Sequence, residues 1–424
     1  MKNEHSVMKL RLLLMSFLQF AIWGAYLISM GTWLFGIGMG DKIGYFYATQ
    51  GVVSLFMPTL MGIVADRLIP AQKLLALCHL LSALFKCGVG YAGMTGEVGF
   101  TTVLTLYACS IAFYMPSLAL CNSVAYSALE RVKLEPVTAF PTIRFFGTVG
   151  FICTMLLTDV WGFQGSYLQF FFSAALGVVA ACYAWTLPAC PVNRKGGKSM
   201  AESWGLRAFS LFKERRMALF FLFSVLLGVA LQITNGFANP FLKSFERIPE
   251  YADTFGVRHA NALISLSQVS ETLCLLLIPF ALKHWGIKRV MLIAMLGWVL
   301  RFALFGWGNP GDGVWMFILS MIVYGVAFDF FNISGSLFVN QESPAAVRSS
   351  AQGLFMLMTN GIGATVGTVL AQQVVNRFVD FRSPLPQVEG WSRVWLLFAL
   401  YMLVVAVLFA VFFKYKHRPQ GHKG

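Results

Sequence analysis

WSRVWLLFALYMLVVAVLFAVFF (391–413) carries one charge, Arg393, and then runs from 394 to 413 without another. Written on a helix, the stretch is apolar on every face, and a membrane-spanning helix needs roughly 20 such residues. A spanning β-strand would alternate in polarity and end after about ten residues, so a transmembrane barrel is excluded. The rest of the chain has the same character. Of 424 residues 58% are hydrophobic and 12% charged, with a mean hydropathy of +0.70, whereas soluble chains are about 25% charged. Twelve spans of roughly 20 residues with connections of about 12 to 15 come to roughly 400, which leaves no room for a large soluble domain.

The apolar runs place spans at 12–36, 43–65, 74–91, 100–127, 138–158, 167–187, 217–242, 259–282, 289–307, 314–340, 350–376 and 392–413. The N-terminal MKNEHSVMKLR before the first run imitates a signal peptide. That run continues past Trp23 to about Phe35 with no small-residue cleavage pattern, and so reads as the first span. The longest polar connection, 189–216, divides the chain into six helices and six: an N-terminal bundle (1–188), a linker (189–216) and a C-terminal bundle (217–424). An all-α integral membrane protein of twelve transmembrane helices in two six-helix bundles is the layout of the major facilitator fold.

The formal charge is +14, yet no basic-aromatic repeat points to nucleic acid. Of the 32 Lys and Arg, 22 fall on the side of the termini, seven on the other side and three inside spans. The positive-inside rule then expects both termini in the cytoplasm. Of eight cysteines, only Cys190 falls in a connection, so neither a disulfide framework nor a metal site is expected. Weak symmetry relates GIVADR (62–67) after the second span to WGIKR (285–289) after the eighth. Gly62-x-x-x-Asp66-Arg67 resembles the signature loop of the major facilitator superfamily. There a glycine permits close helix contact, and charges such as Asp66 and Arg67 latch the cytoplasmic side; the alternative is an ordinary helix end with a solvated pair.

Five ionisable residues fall within spans: Lys86, Arg144, Glu271, Arg301 and Asp329. An isolated charge at the bilayer centre costs at least ~2.5 kcal/mol, so each needs a partner, water or a function. Lys86, near the outer end of the third span, is expected to snorkel to the interface. Arg301, in the outer half of the ninth, either snorkels or anchors a buried carboxylate such as Asp329. Glu271 and Asp329 have stems too short to reach an interface and must face the interior. A buried Glu271 near Arg144 suits reversible protonation, with a permanent structural ion pair as the alternative.

Helical spacing gathers polar groups onto the same faces. Arg144, Gly147, Thr148 and Phe151 share one face of the fifth span, and Gln232, Asn235 and Asn239 one face of the seventh. Gln268 and Glu271 are one turn apart in the eighth, and Tyr324, Phe328 and Asn332 form a stripe on the tenth, with Asp329 about 100° round from Phe328. Amides and rings beside charges suit a flat heterocycle bearing a sugar. They also suit interhelical glue, and periodicity leaves both open.

The runs FLQFAIWGAYL (17–27), MGIVADR (61–67), FPTIRFFGTVGF (140–151), LLGVALQITNGF (226–237), SQVSETL (267–273), MIVYGVAFDFFNISGS (321–336), RSSAQGLFMLMTNG (348–361) and FKYKH (413–417) resemble the bacterial nucleoside permeases of the nucleoside:proton symporter family. The resemblance spans nearly the whole chain. It implies the major facilitator fold and proton-driven nucleoside uptake across a bacterial inner membrane, with uridine and adenosine as representative substrates. No cofactor, metal, nucleic-acid partner or enzymatic step is implied, and a monomer is expected. Carried over by motif, the substrate-binding positions are Arg144, Thr148, Phe151, Gln232, Asn235, Gln268, Glu271, Tyr324 and Phe328, with Glu271 and Asp329 as candidates for proton coupling. The connections 189–202 and 380–392 and the helix end NSVAYSALE (122–130) depart from the family pattern. The reading of the residues alone keeps a transporter of sugars or other small polar solutes as the alternative. A membrane enzyme or nutrient sensor is disfavoured, because no nucleophile-base pair or output domain is visible.

Overall fold

The structure, a computed structural model, describes residues 2–96, 99–190, 206–344, 348–383 and 385–415. Among them are 11 helices long and apolar enough to cross a membrane. One of these, Ala260–Trp307, leaves helical geometry at Gly286 (φ +71°, ψ 168°). A side chain rarely tolerates that φ, so a glycine marks the point where the chain reverses. The segment is therefore spans eight and nine, and the total is twelve.

The two halves repeat one packing scheme. In the first, Lys2–Gly24 lies against Pro136–Val160. Glycines set the approach: a Cβ on Gly24 would meet the Phe151 carbonyl oxygen at 2.2 Å, and one on Gly150 the Phe17 carbonyl oxygen at 2.2 Å. In the second half, span seven (Arg215–Ser244) packs in the same way on span eleven, where a Cβ on Gly228 would meet the Thr359 carbonyl oxygen at 2.2 Å. Span eleven is built as Arg348–Met356, a π-helical turn Leu357–Gly363 and Ala364–Phe378. Its wide turn brings Gly363 against Val225 and Gly228.

The first span differs from the expected 12–36. Its helix starts at Lys2, ends at Gly24, passes through turns at 25–29 and resumes as Met30–Gly36. Backbone groups freed inside a membrane must find partners. Thr158 of the fifth span donates its hydroxyl to the Ala25 carbonyl at 2.9 Å and the Tyr47 hydroxyl donates to the Leu27 carbonyl, while Thr154 adds a bond at 2.8 Å to the Ala21 carbonyl, which also accepts from the Ala25 N–H. Hydroxyl groups supplied by neighbouring helices thus stabilise the break.

Among the described residues, hydrogen bonds that join the halves gather on the face away from the termini. Asn239 of span seven donates to the Gln164 and Asn261 side chains at 3.0 and 2.6 Å and accepts from Thr32. Asp159 accepts from Gln164 and, at 3.0 Å, from the Ala262 backbone N–H, so it caps the start of span eight from the opposite half. Gln372 donates to the Gly40 carbonyl at 3.1 Å and accepts the Gly44 N–H at 2.5 Å. On the terminal face, by contrast, Pro141, Thr142, Phe145 and Phe146 are exposed, and a Cβ on Gly62 or Gly353 would meet nothing within 4 Å. The face away from the termini is thus the one tied across the halves among the described residues.

Candidate functional site

Span five supplies the wall on the N-terminal side. Arg144 is exposed, and its guanidinium lies 4.0 Å from the centre of the Phe20 ring of span one, a cation–π contact that holds it in place. Thr148 is half-buried one turn on, and Phe151 is 7% exposed. Gly147, expected on the same face, instead turns into span one, where a Cβ would meet the Phe20 ring at 2.5 Å. Phe20, which holds the Arg144 guanidinium, escaped sequence reasoning. Its i, i+3 spacing with Phe17 and Trp23 looks like any packed apolar helix.

The other wall comes from spans eight and ten. Glu271 is half-buried and within electrostatic reach of Arg144, Asp329 and Tyr324. No ion pair within 4.0 Å joins Arg144 to Glu271 among the described residues, so the two charges lie within electrostatic reach without touching. Asp329 is 5% exposed, and its Oδ2 has no hydrogen-bond partner. It therefore sits behind the wall, in reach of both Glu271 and Arg144. Tyr324 is 5% exposed and stacks on the half-buried Phe328 with centroids 5.6 Å apart and planes 5° from parallel. Asn332 donates to the Phe328 carbonyl at 3.1 Å. Gln268 is half-buried beside Glu271.

On span seven, Asn235 donates to Gln232 Oε1 at 2.9 Å, and both side chains are half-buried. That bond orders the pair and leaves the Gln232 donors and the Asn235 acceptor free of partners among the described residues. Asn239, on the same stripe, does not belong to the site, because it is fully buried in the bonds that close the far face.

Two expectations fail. Lys86 does not snorkel: it is 0% exposed, with Nζ 4.8 Å from the Tyr26 ring centre and 4.7 Å from that of Tyr114, and it has no hydrogen-bond partner. Its helix continues to Thr95, about one turn beyond the expected end at 91. Arg301 neither snorkels nor anchors Asp329. At 2% exposure it donates to the Ser320 carbonyl at 2.6 Å and lies over the Tyr324 ring at 4.6 Å. The close contact expected at Gly62 is also absent, because the terminal face stands open there. The side chains of Asp66 and Arg67, the expected latch, lie outside the described residues.

Residues 6–418 match the family described as nucleoside H+ symporter. The chain belongs to that family. It is 46% identical over 421 residues to the xanthosine permease of Escherichia coli (strain K12), covering 98% of each chain. It is 44% identical over 414 residues to the nucleoside permease NupG of the same organism, covering 97% of each. The crystal structure of NupG superposes with a TM-score of 0.88 at 43% identity, covering 96% of this chain and 100% of that one. A bacterial homologue of the lysosomal transporter Spinster, in an inward-facing unoccupied state, superposes with a TM-score of 0.70 at 14% identity and shares the fold alone. The family member described here is accordingly a proton-coupled nucleoside transporter of the major facilitator fold, a multi-pass membrane protein and not an enzyme.

Proposed function

We propose that the nucleoside binds between Arg144, Thr148 and Phe151 of one half and Gln232, Asn235, Gln268, Glu271, Tyr324 and Phe328 of the other. The observation that carries this reading is that Arg144 and Glu271, one from each half, lie within electrostatic reach of one another without an ion pair within 4.0 Å. Opposite charges held apart leave room for a polar ligand between them. Ribose hydroxyls can donate to the carboxylate and accept from the guanidinium. The base packs on the Phe328 and Tyr324 rings and presents its edge to the amides.

Coupling follows from the same pair. A proton taken up by Glu271 cancels its negative charge, and with it the attraction to Arg144 and the repulsion from Asp329. The balance between the two bundle arrangements then depends on both ligands, which is what symport requires. Asp329, set behind the wall, is the second candidate for the proton. With both termini cytoplasmic, as the charge bias favours, the described conformation is inward-open. Thr32, Asn239, Gln164, Asn261 and Asp159 then form the closed outer gate, and rocking of bundle 1–188 against bundle 217–424 about the site, with 189–216 as linker, exposes it to each side in turn. We place this transporter as a monomer in a bacterial inner membrane, carrying uridine and adenosine among its substrates.

A site that hydrogen-bonds a base discriminates strongly against ligands lacking one. In proteoliposomes, competition against labelled uridine is therefore expected to be strong for unlabelled nucleosides and weak for free ribose. Equal competition by ribose would transfer the assignment to sugar transport on the same fold.

A further inference from the structure

Arg301 is a cation in the middle of a membrane helix, buried to 2% exposure, with no carboxylate partner among the described residues. An apolar side chain of similar length would fill its space without the cost of a buried charge. Its contacts show what the charge supplies. Nη1 donates to the Ser320 carbonyl at 2.6 Å, and the Ser320 hydroxyl returns a bond to the Arg301 carbonyl at 3.0 Å, so spans nine and ten are clamped at one level. One turn further along span ten, the Tyr324 ring centre is 4.6 Å from the guanidinium carbon. The edge of Trp298 meets the same ring at 5.9 Å and 89°. Phe328 continues the stack at 5.6 Å, with its plane parallel to that of Tyr324. Phe328 is half-buried, so the stack begins at a fixed cation and ends at the cavity.

We infer that Arg301 is a positioning residue for nucleoside recognition: its guanidinium fixes the tilt of Tyr324 and, through it, of Phe328, the aromatic wall on which the bound nucleoside packs. The inference rests on the reading of Tyr324 and Phe328 as binding residues. A planar guanidinium stacks on a ring and donates sideways to a carbonyl at the same time; a lysine can reach that carbonyl but offers no face. The aromatic wall is thereby set before the nucleoside arrives, and the ligand does not have to order it.

The test is uridine uptake by Arg301→Met and Arg301→Lys, each made alone and together with Tyr324→Leu, with kinetics normalised to the amount of folded transporter. Loss of the stacked cation is expected to raise KM about five- to tenfold with little change in Vmax. Arg301→Lys is expected to move KM in the same direction and decides the matter if Arg301→Met does not fold. In the Tyr324→Leu background neither substitution should raise KM further, because the ring through which Arg301 acts is gone. An unchanged KM in Arg301→Lys, or an equal rise in both backgrounds, overturns the inference and leaves the binding site standing. An unchanged KM in Tyr324→Leu alone removes the binding site and this inference with it.

Discussion

Each half of the transporter buries one cation of its third helix against a tyrosine of its fourth, yet the two pairs lead to different places. Lys86 is enclosed by Tyr26 and Tyr114, both 0% exposed, and Tyr114 spends its hydroxyl on the Gln19 carbonyl at 2.8 Å. Tyr26 leads on to Tyr107, which accepts from Gln50 at 2.8 Å, and Tyr114 meets the Trp23 ring at 5.7 Å with Arg144 in electrostatic reach; none of these rings is a proposed binding residue. Arg301 lies on Tyr324, which hands the stack to Phe328 and has Glu271 and Asp329 in electrostatic reach. A buried charge in a membrane is therefore not by itself a functional group; what it orders, and whether that reaches the cavity, decides.

The comparison is sharpest at Glu271, the carboxylate that the second half brings within electrostatic reach of Arg144. In Glu271→Gln the amide keeps the shape and most of the hydrogen bonding but cannot carry a proton. Gradient-driven accumulation of uridine is expected to be abolished, while binding measured by calorimetry weakens by no more than about tenfold, about 1.4 kcal/mol. Undiminished accumulation would remove Glu271 from the coupling role and pass it to Asp329. The next largest effect belongs to the facing cation of the first half. Arg144→Ala removes a charge-assisted donor, so uridine affinity should fall roughly thirty-fold, about 2 kcal/mol; an affinity within twofold of the parent would place Arg144 outside the site.

The smallest effect is expected at Lys86. Exchanging an unpaired buried cation for an apolar side chain of similar size is often neutral or stabilising. Lys86→Met should therefore leave KM for uridine within about twofold and the detergent melting temperature unchanged or higher. A KM shift as large as that of the Arg301 variants would erase the distinction between the halves.

The same contrast explains what was legible in the sequence. Continuous apolarity located the spans, and the 3.6-residue period put Arg144, Gly147, Thr148 and Phe151 on one face and Tyr324 with Phe328 on another; the structure stacks Tyr324 on Phe328 and turns Gly147 into span one. Depth was not legible. A lysine near the apparent end of an apolar run looks like an interfacial anchor, whereas the helix runs on to Thr95 and the rings of Tyr26 and Tyr114 enclose Lys86. Partner choice was not legible either. Arg301 found a backbone carbonyl and a ring rather than Asp329, because hydrogen bonds between neighbouring helices depend on their rotation about their axes, which periodicity does not supply. For the same reason Asn239 left the stripe of Gln232 and Asn235 to join the closed face. The break in span one depends on hydroxyls from span five, a contact between residues more than a hundred positions apart.

The most direct test of the account is uptake of labelled uridine and adenosine into proteoliposomes of the purified transporter, with an inward proton gradient imposed and then collapsed by an uncoupler. The account predicts accumulation above the external concentration that disappears when the gradient does. Uptake that only equilibrates, whether or not a gradient is present, would contradict proton coupling through the facing charges of the two halves.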